Sequence, residues 1–314
     1  MPQWADRRRE VSPVLLNPPE ASSPVGQYFL SVKAPAKINW FLRILRRRDD
    51  GYHDIVSLMQ CISLYDELTL HHADSVIVEG NMDIPMSENL IYRAASLLKE
   101  HSGYPGGARI SVKKQIPLSA GLGGGSSDAA YTLSGLNALW QLGLGNEELC
   151  SIGSRVGSDV PFFFHAPVAV IEGRGDRITP MHVEWRFTLL LVKAAVDIST
   201  RWAYEAHDML SKRRLTNEPI DIKLFCQALE GQDFPLLSRM LFNDFEDIVL
   251  REYPVVGEIK RVLREMGAEV SLMSGSGPTI FGLFRNRETA EKAREAVKPE
   301  WSSIVQTLAQ RGAV

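Results

Sequence analysis

The chain has 314 residues, room for two domains at the usual size of about 100–200 residues each. Its 35 Lys and Arg against 38 Asp and Glu give a net charge of −3, which argues against a nucleic-acid protein built on a basic face but leaves room for a local phosphate site. The three cysteines, Cys61, Cys150 and Cys226, form no C-x-x-C pair, which excludes a disulfide framework and a Cys-rich zinc site. No apolar run approaches the ~18–20 residues of a membrane span, so a soluble, cytoplasmic protein is expected, without membrane or nucleic-acid partners.

Residues 1–27 carry Pro2, Pro13, Pro18, Pro19 and Pro24, and no apolar stretch follows Arg7-Arg8-Arg9. That pattern reads as a disordered or loosely docked extension, not a secretory leader. From Tyr28 to Leu45 strand formers dominate, with a break expected at Ala34-Pro35-Ala36. Strict alternation puts Ile38, Trp40, Leu42 and Ile44 on one face and Lys37, Asn39, Phe41 and Arg43 on the other. Arg46 to Gly51 is a polar turn, Ile55 to Leu70 a further strand, and Ser87 to Lys99 a helix capped by Ser87 or Asn89. A strand over 108–116 leads into a glycine-rich loop and a helix from Ser126 to Leu142, closed by Gly143. Asn146, with Glu147 and Glu148, opens another helix that stops near Gly157. Strands follow at Val168 to Gly175 and Phe187 to Val192, then helical periodicity at Arg201 to Leu210, Ile222 to Leu229 and Val256 to Met266. The turn Ser274-Gly275-Ser276-Gly277-Pro278 feeds a strand from Thr279 to Phe284, and Thr289 to Lys298 reads as a helix. Strands and helices mix without βαβ alternation or internal repeat, which predicts an α+β chain with domains over 28–178 and 179–314.

The most informative stretch is Pro117-Leu118-Ser119-Ala120-Gly121-Leu122-Gly123-Gly124-Gly125-Ser126-Ser127-Asp128. Glycines permit close backbone approach, and the first turn of the following helix offers unpaired N–H groups and the positive end of its dipole. Between a strand and a helix, this reads as a phosphate site. It is not a P-loop, because the chain has no Gly-Lys pair, and it fits the dinucleotide fingerprint poorly.

This stretch resembles the ATP loop of the GHMP kinases. Ala34-Pro35-Ala36-Lys37-Ile38-Asn39 with Asp50-Gly51-Tyr52-His53 resembles the branch of that family with a cytidyl-linked acceptor. Gly157-Ser158-Asp159-Val160-Pro161-Phe162-Phe163 resembles the family's catalytic-aspartate segment, and residues 274–278 its third motif. The resemblance implies a two-domain α+β GHMP kinase fold, with an N-terminal nucleotide-binding domain and a C-terminal α+β domain. It implies ATP and Mg2+ as cofactors and phosphorylation of the 2-hydroxyl of a cytidyl-linked methylerythritol on the non-mevalonate isoprenoid route. The alternative is another kinase of the family with a different acceptor alcohol; the Asp50–His53 block counts against it.

By residue type alone, Asp159 is a loop cap and Lys37 a solvated lysine. The resemblance makes Asp159 the base that accepts the acceptor's proton and Lys37 the cation that orients it. It places ATP on Pro117 to Ser127 and substrate on Asn39, Tyr52, His53 and Thr200. Asn89 has two readings, a helix cap or a lining of the adenine pocket, and Tyr204 has two, a stacking wall or core packing. Asp128 reads as a helix cap or as a partner of magnesium, with Ser126 and Ser127 as phosphate-side or metal-side donors. The direct metal ligands and the oligomeric state stay open.

Overall fold

The first sheet of the molecule contains β1 (Phe29–Arg47), β2 (His53–Ala73), β3 (Ile77–Gly80), β4 (Gly107–Lys113), β5 (Val168–Gly173) and β6 (Arg177–Pro180). The second contains β7 (Thr188–Lys193), β8 (Val270–Met273), β9 (Thr279–Phe284) and β10 (Trp301–Gln306). Three helices accompany the first sheet: α1 (Leu90–Ser102), α2 (Gly124–Leu139) and α3 (Asn146–Val156). Among the described residues six more follow: α4 (Thr200–Ser211), α5 (Ile222–Glu230), α6 (Phe234–Met240), α7 (Glu246–Glu252), α8 (Pro254–Glu265) and α9 (Arg287–Val297). The computed structural model describes residues 29–82, 84–211 and 220–309, so the extension expected over 1–27 lies outside the described residues.

Strand β2 is the spine of the first sheet. β1 pairs with it antiparallel along one edge; on the other, β5 takes Ile55 to Gln60 and β4 takes Glu67 to Ala73. The second sheet is antiparallel, in the order β10-β7-β9-β8. β7 is apolar on both faces. Leu189 and Leu191 join a core with Trp40, Phe225 and Phe281, while Leu190 and Val192 join one with Leu263, Ala290 and Ala293. A strand covered on both faces reads as a continuous apolar run, which is why Phe187 to Val192 was visible without alternation. Helices α1 to α3 bury their apolar sides against the first sheet.

Three expectations change. β1 runs through Ala34-Pro35-Ala36 without a break; the register shifts between Pro35 and Ala36, where the proline lacks an N–H to donate. A second shift lies between Asn39 and Phe41, and Trp40 has no partner on β2. Such a bulge ends strict alternation. Leu42 therefore lines the same cleft as Lys37 and Asn39, and Phe41 packs in the core with Ile38 and Trp40, the reverse of the alternating assignment. Finally, α2 starts at Gly124, two residues before the expected Ser126, and ends at Leu139. β6 carries the first sheet to Pro180.

Candidate active site

A cleft of about 690 Å³ is lined by Lys37 and Asn39 of β1, Met59 of β2, the start of α2, Ser199 and Thr200 at the start of α4, and the turn Gly275–Gly277. Every residue from Pro117 to Ser126 lines it. Ser127 does not: its side chain is fully buried and its hydroxyl has no hydrogen-bond partner among the described residues. The N-cap of α2 is Gly123, with φ +68°, and no side chain caps the helix. Its first N–H groups are thus left for a ligand. Gly121 has φ +74°, and a Cβ there would overlap the Ser274 carbonyl oxygen. Only glycine fits this close approach. Ser274 also donates its hydroxyl to the Gly121 carbonyl at 3.0 Å, so the third motif braces the loop directly.

Lys37 ties the loop to the segment that carries Asp159. Its backbone N–H donates to the Leu122 carbonyl at 2.9 Å. Its Nζ donates to Asn39 Oδ1 at 2.7 Å and to the Gly121 carbonyl at 3.2 Å, and lies 3.6 Å from Asp159 Oδ2. Lys37 is 3% exposed, so it is not the solvated lysine that residue type alone suggests. Burial pulls its ammonium below the usual lysine range, and Asp159 opposes that shift. The Asn39 amide donates to Ser57 Oγ at 2.7 Å, which turns its oxygen toward Lys37; Ser57 in turn donates to the Phe41 carbonyl. Asp159 sits in the loop after α3 with its side chain 34% exposed, open to an acceptor in the cleft.

Asp128 is not a helix cap. It is buried, and its Oδ2 pairs with Lys114 Nζ at 2.7 Å. Lys114 also pairs with the fully buried Asp66. The other oxygen of Asp128, Oδ1, is buried with no hydrogen-bond partner among the described residues. Burial pushes the Asp128 carboxyl up to about 7 against the pull of Lys114. Burial disfavours the Lys114 ammonium too, but Asp128 and Asp66 outweigh it and hold that group above its usual value.

At the aromatic end, Tyr204 lines the cleft and stacks on the His53 ring at 4.7 Å and 17°. It also meets Phe245 edge-on, which is the packing of its second reading. His53 Nε2 lies 2.6 Å from Asp208 Oδ1, and the ring stands behind Tyr204 instead of lining the cleft. Tyr52 is half exposed beneath the Arg174 guanidinium and does not line it either. Thr200 does, with its hydroxyl 2.9 Å from that of Ser276. Asn89 is the helix cap of the first of its two readings. Its Oδ1 accepts from Ile91 N at 2.9 Å as the N-cap of α1, and the residue lines the cleft.

Sequence reasoning missed Asp66, Lys114, Ser57 and Asn243. Asn243 donates to the carbonyls of Met273 and Gly275, holding the third motif against β1. No local spacing marks these residues, because each acts across 14 to 50 positions of sequence. The lysine just before the loop was the only readable hint.

Comparison with known proteins agrees with this geometry. The GHMP kinases N terminal domain matches residues 89–166 and the GHMP kinases C terminal domain residues 223–303. A 4-diphosphocytidyl-2-C-methyl-D-erythritol kinase from Thermodesulfovibrio yellowstonii is 45% identical over 281 residues, 90% of this chain and 99% of the relative. One from Pelobacter propionicus is 41% identical over 84% of this chain and 93% of the relative. A crystal structure of 4-(cytidine 5'-diphospho)-2C-methyl-D-erythritol kinase superposes with a TM-score of 0.77 at 33% identity, over 89% of this chain and all of that one. Fold, family models and relatives agree, and the chain belongs to the 4-diphosphocytidyl-2-C-methyl-D-erythritol kinases of the GHMP kinase family.

Proposed function

We propose that this protein transfers the γ-phosphoryl group of ATP to the 2-hydroxyl of 4-diphosphocytidyl-2-C-methyl-D-erythritol. The observation that carries the reading is Lys37, which touches the glycine loop at Gly121 and stands 3.6 Å from Asp159. A single buried cation thus spans the phosphate site and the proposed base. In this reading the loop N–H groups and the α2 N-terminus hold the ATP phosphates. Asp159 accepts the hydroxyl proton as the oxygen attacks, and Lys37 orients Asp159 and stabilises charge on the transferring group. The Asn39 side chain faces the acceptor. The cytosine stacks on Tyr204, the aromatic ring that lines the cleft with His53 packed behind it, and Asn89 borders the adenine.

Magnesium belongs to this proposal. The cleft lining includes oxygen-bearing side chains, Ser126, Asp128 and Asp159 among them, and no three acidic, His or Cys side chains converge among the described residues. That sparse oxygen set fits Mg2+, which keeps several waters and takes phosphate oxygens. Ser126 would hold it, and the ion would neutralise charge between the phosphates. A cytoplasmic site of action fits the three free cysteines and the use of ATP. No described helix is long and apolar enough to cross a membrane. The division into two domains falls, on this reading, between β6 and β7, where the chain passes from the first sheet to the second.

The test is direct. Purified protein with ATP, Mg2+ and the cytidyl substrate should release ADP in step with phosphorylated product. Turnover of mevalonate or homoserine, with none of the cytidyl substrate, overturns the assignment.

A further inference from the structure

We propose that Lys114 is a positioning residue for ATP, anchored by Asp66, and that its task is to neutralise Asp128 so that the start of α2 can receive phosphate. This rests on reading the glycine loop as the ATP site. Asp66 accepts from the backbone N–H groups of Gln115 at 2.6 Å and Ile116 at 2.9 Å, which fixes the chain just before Pro117. It also pairs with Lys114, whose Nζ reaches across to Asp128 Oδ2 at 2.7 Å. The entry of the loop and the first turns of the helix that follows it are therefore joined through one ammonium. That ammonium is at the helix start itself: a Cβ built on Gly124 would stand 3.4 Å from Lys114 Nζ.

The charge arrangement explains why the join is ionic. Asp128 is buried and lines the nucleotide cleft. A bare carboxylate there faces the phosphates of ATP across a short, poorly screened distance. Paired with Lys114, it presents little net field. Asp66 lies outside the cleft lining and supplies the second anchor that keeps the flexible lysine in place. The unit carries one positive and two negative groups.

The experiment measures ATP dissociation constants by calorimetry on the full chain in EDTA, so that no metal contributes. Lys114→Met should weaken ATP at least about tenfold, because it leaves two buried carboxylates beside the phosphates. Asp128→Asn should bind ATP as tightly as wild type or tighter. Lys114→Met/Asp128→Asn restores the wild-type charge count and should return affinity to within about threefold of wild type. A lysine that only supports the fold, or that contacts ATP itself, predicts instead that the double variant is as weak as Lys114→Met or weaker; that result overturns the proposal. If Lys114→Met does not fold, the Asp128→Asn arm decides, since weaker ATP binding there contradicts it. Failure of wild type to bind ATP is a different result, and it would overturn the reading of the loop instead.

Discussion

Replacing Lys37 with methionine separates stability from catalysis in this fold. Lys37 is 3% exposed, and its ammonium holds Asn39 Oδ1 at 2.7 Å, the Gly121 carbonyl at 3.2 Å and Asp159 Oδ2 at 3.6 Å. Its removal leaves acceptors without this donor, at roughly 1–3 kcal/mol for each group left buried and unpaired. Gly121 keeps the Ser274 hydroxyl at 3.0 Å, so the loss falls mainly on Asn39. Against that, the variant no longer buries a charge, a cost of several kcal/mol in the native protein. These effects oppose each other, and net destabilisation should stay below about 2 kcal/mol. Catalysis has no such offset. Removing one preorganised donor aimed at developing charge costs about 2.7–4 kcal/mol, or roughly 100- to 1000-fold in kcat. The backbone bond from Lys37 to Leu122 survives, so KM for ATP should move by less than about threefold. Steady-state ADP release, with a thermal melt of the same sample, measures both. The pH profile adds a sign. Burial depresses the Lys37 ammonium below the ordinary lysine value of 10.5, so wild-type kcat should fall as pH rises through that lowered value, where the working proton is lost. The variant should lack this alkaline limb. A folded variant with kcat within about fivefold of wild type, or with raised KM and intact kcat, refutes the role given to Lys37.

Asp159→Asn should retain both ligands in equilibrium binding and lose at least ~100-fold in kcat; an unchanged rate removes it from the mechanism. Gly121→Ala forces a side chain into φ +74° against the Ser274 carbonyl, and should lower stability by about 2 kcal/mol or more while weakening ATP. A melt and an ATP titration both matching wild type would show that the loop is not held as described. Tyr204→Ala should raise KM for the cytidyl substrate by about 5- to 150-fold, equivalent to the ~1–3 kcal/mol of a lost base stack, without changing KM for ATP. Tyr204→Phe keeps the ring and should stay near wild type; equal loss in both variants would reassign the effect to the hydroxyl.

How far the sequence could be read depended on whether the signal was local. β9, expected from Thr279 to Phe284, is found with those ends, because a turn and an apolar run mark it within a few residues. The helix after Gly145 is equally well marked by its acidic first turn and closing glycine. Helices α6 and α7 escaped notice: each has seven residues, too few for a periodic pattern to stand out. Strand β8 has four, Val270 to Met273, all buried, and so lacks alternation. The bulge at Trp40 was invisible for another reason. Trp40 Nε1 donates to Gln60 Oε1, and Gln60 donates to the Leu308 carbonyl, a tie to a residue 248 positions away. The side that each β1 residue faces past Asn39 is therefore decided by tertiary contacts, and no reading of the strand alone could assign Leu42 to the cleft. The candidate site followed the same rule. Lys37, Asn39, Asp159 and the glycine loop sit in recognisable blocks, whereas Asp66 and Asn243 act only through what the fold brings beside them.

A chain with net charge −3 is proposed to hold two polyanions, ATP and a diphosphate-linked acceptor. Its two buried lysines at the loop do not make a positive patch, since each is matched by a carboxylate: Lys37 by Asp159, and Lys114 by Asp66 and Asp128. What remains unmatched is the backbone, the uncapped start of α2 and the N–H groups of the loop before it. Attraction of this kind falls off within a turn of the helix and depends on where the amides point. It therefore depends on the shape of the loop more than on the sum of surface charge. That shape is held where the loop backbone leaves no room for a Cβ: Gly121 against the Ser274 backbone, Gly123 against the Lys37 side chain, and Gly275 against the Gly121 carbonyl. Phosphate affinity in this fold should accordingly tolerate changes of distant surface charge and fail with a single added methyl group at any of these three glycines.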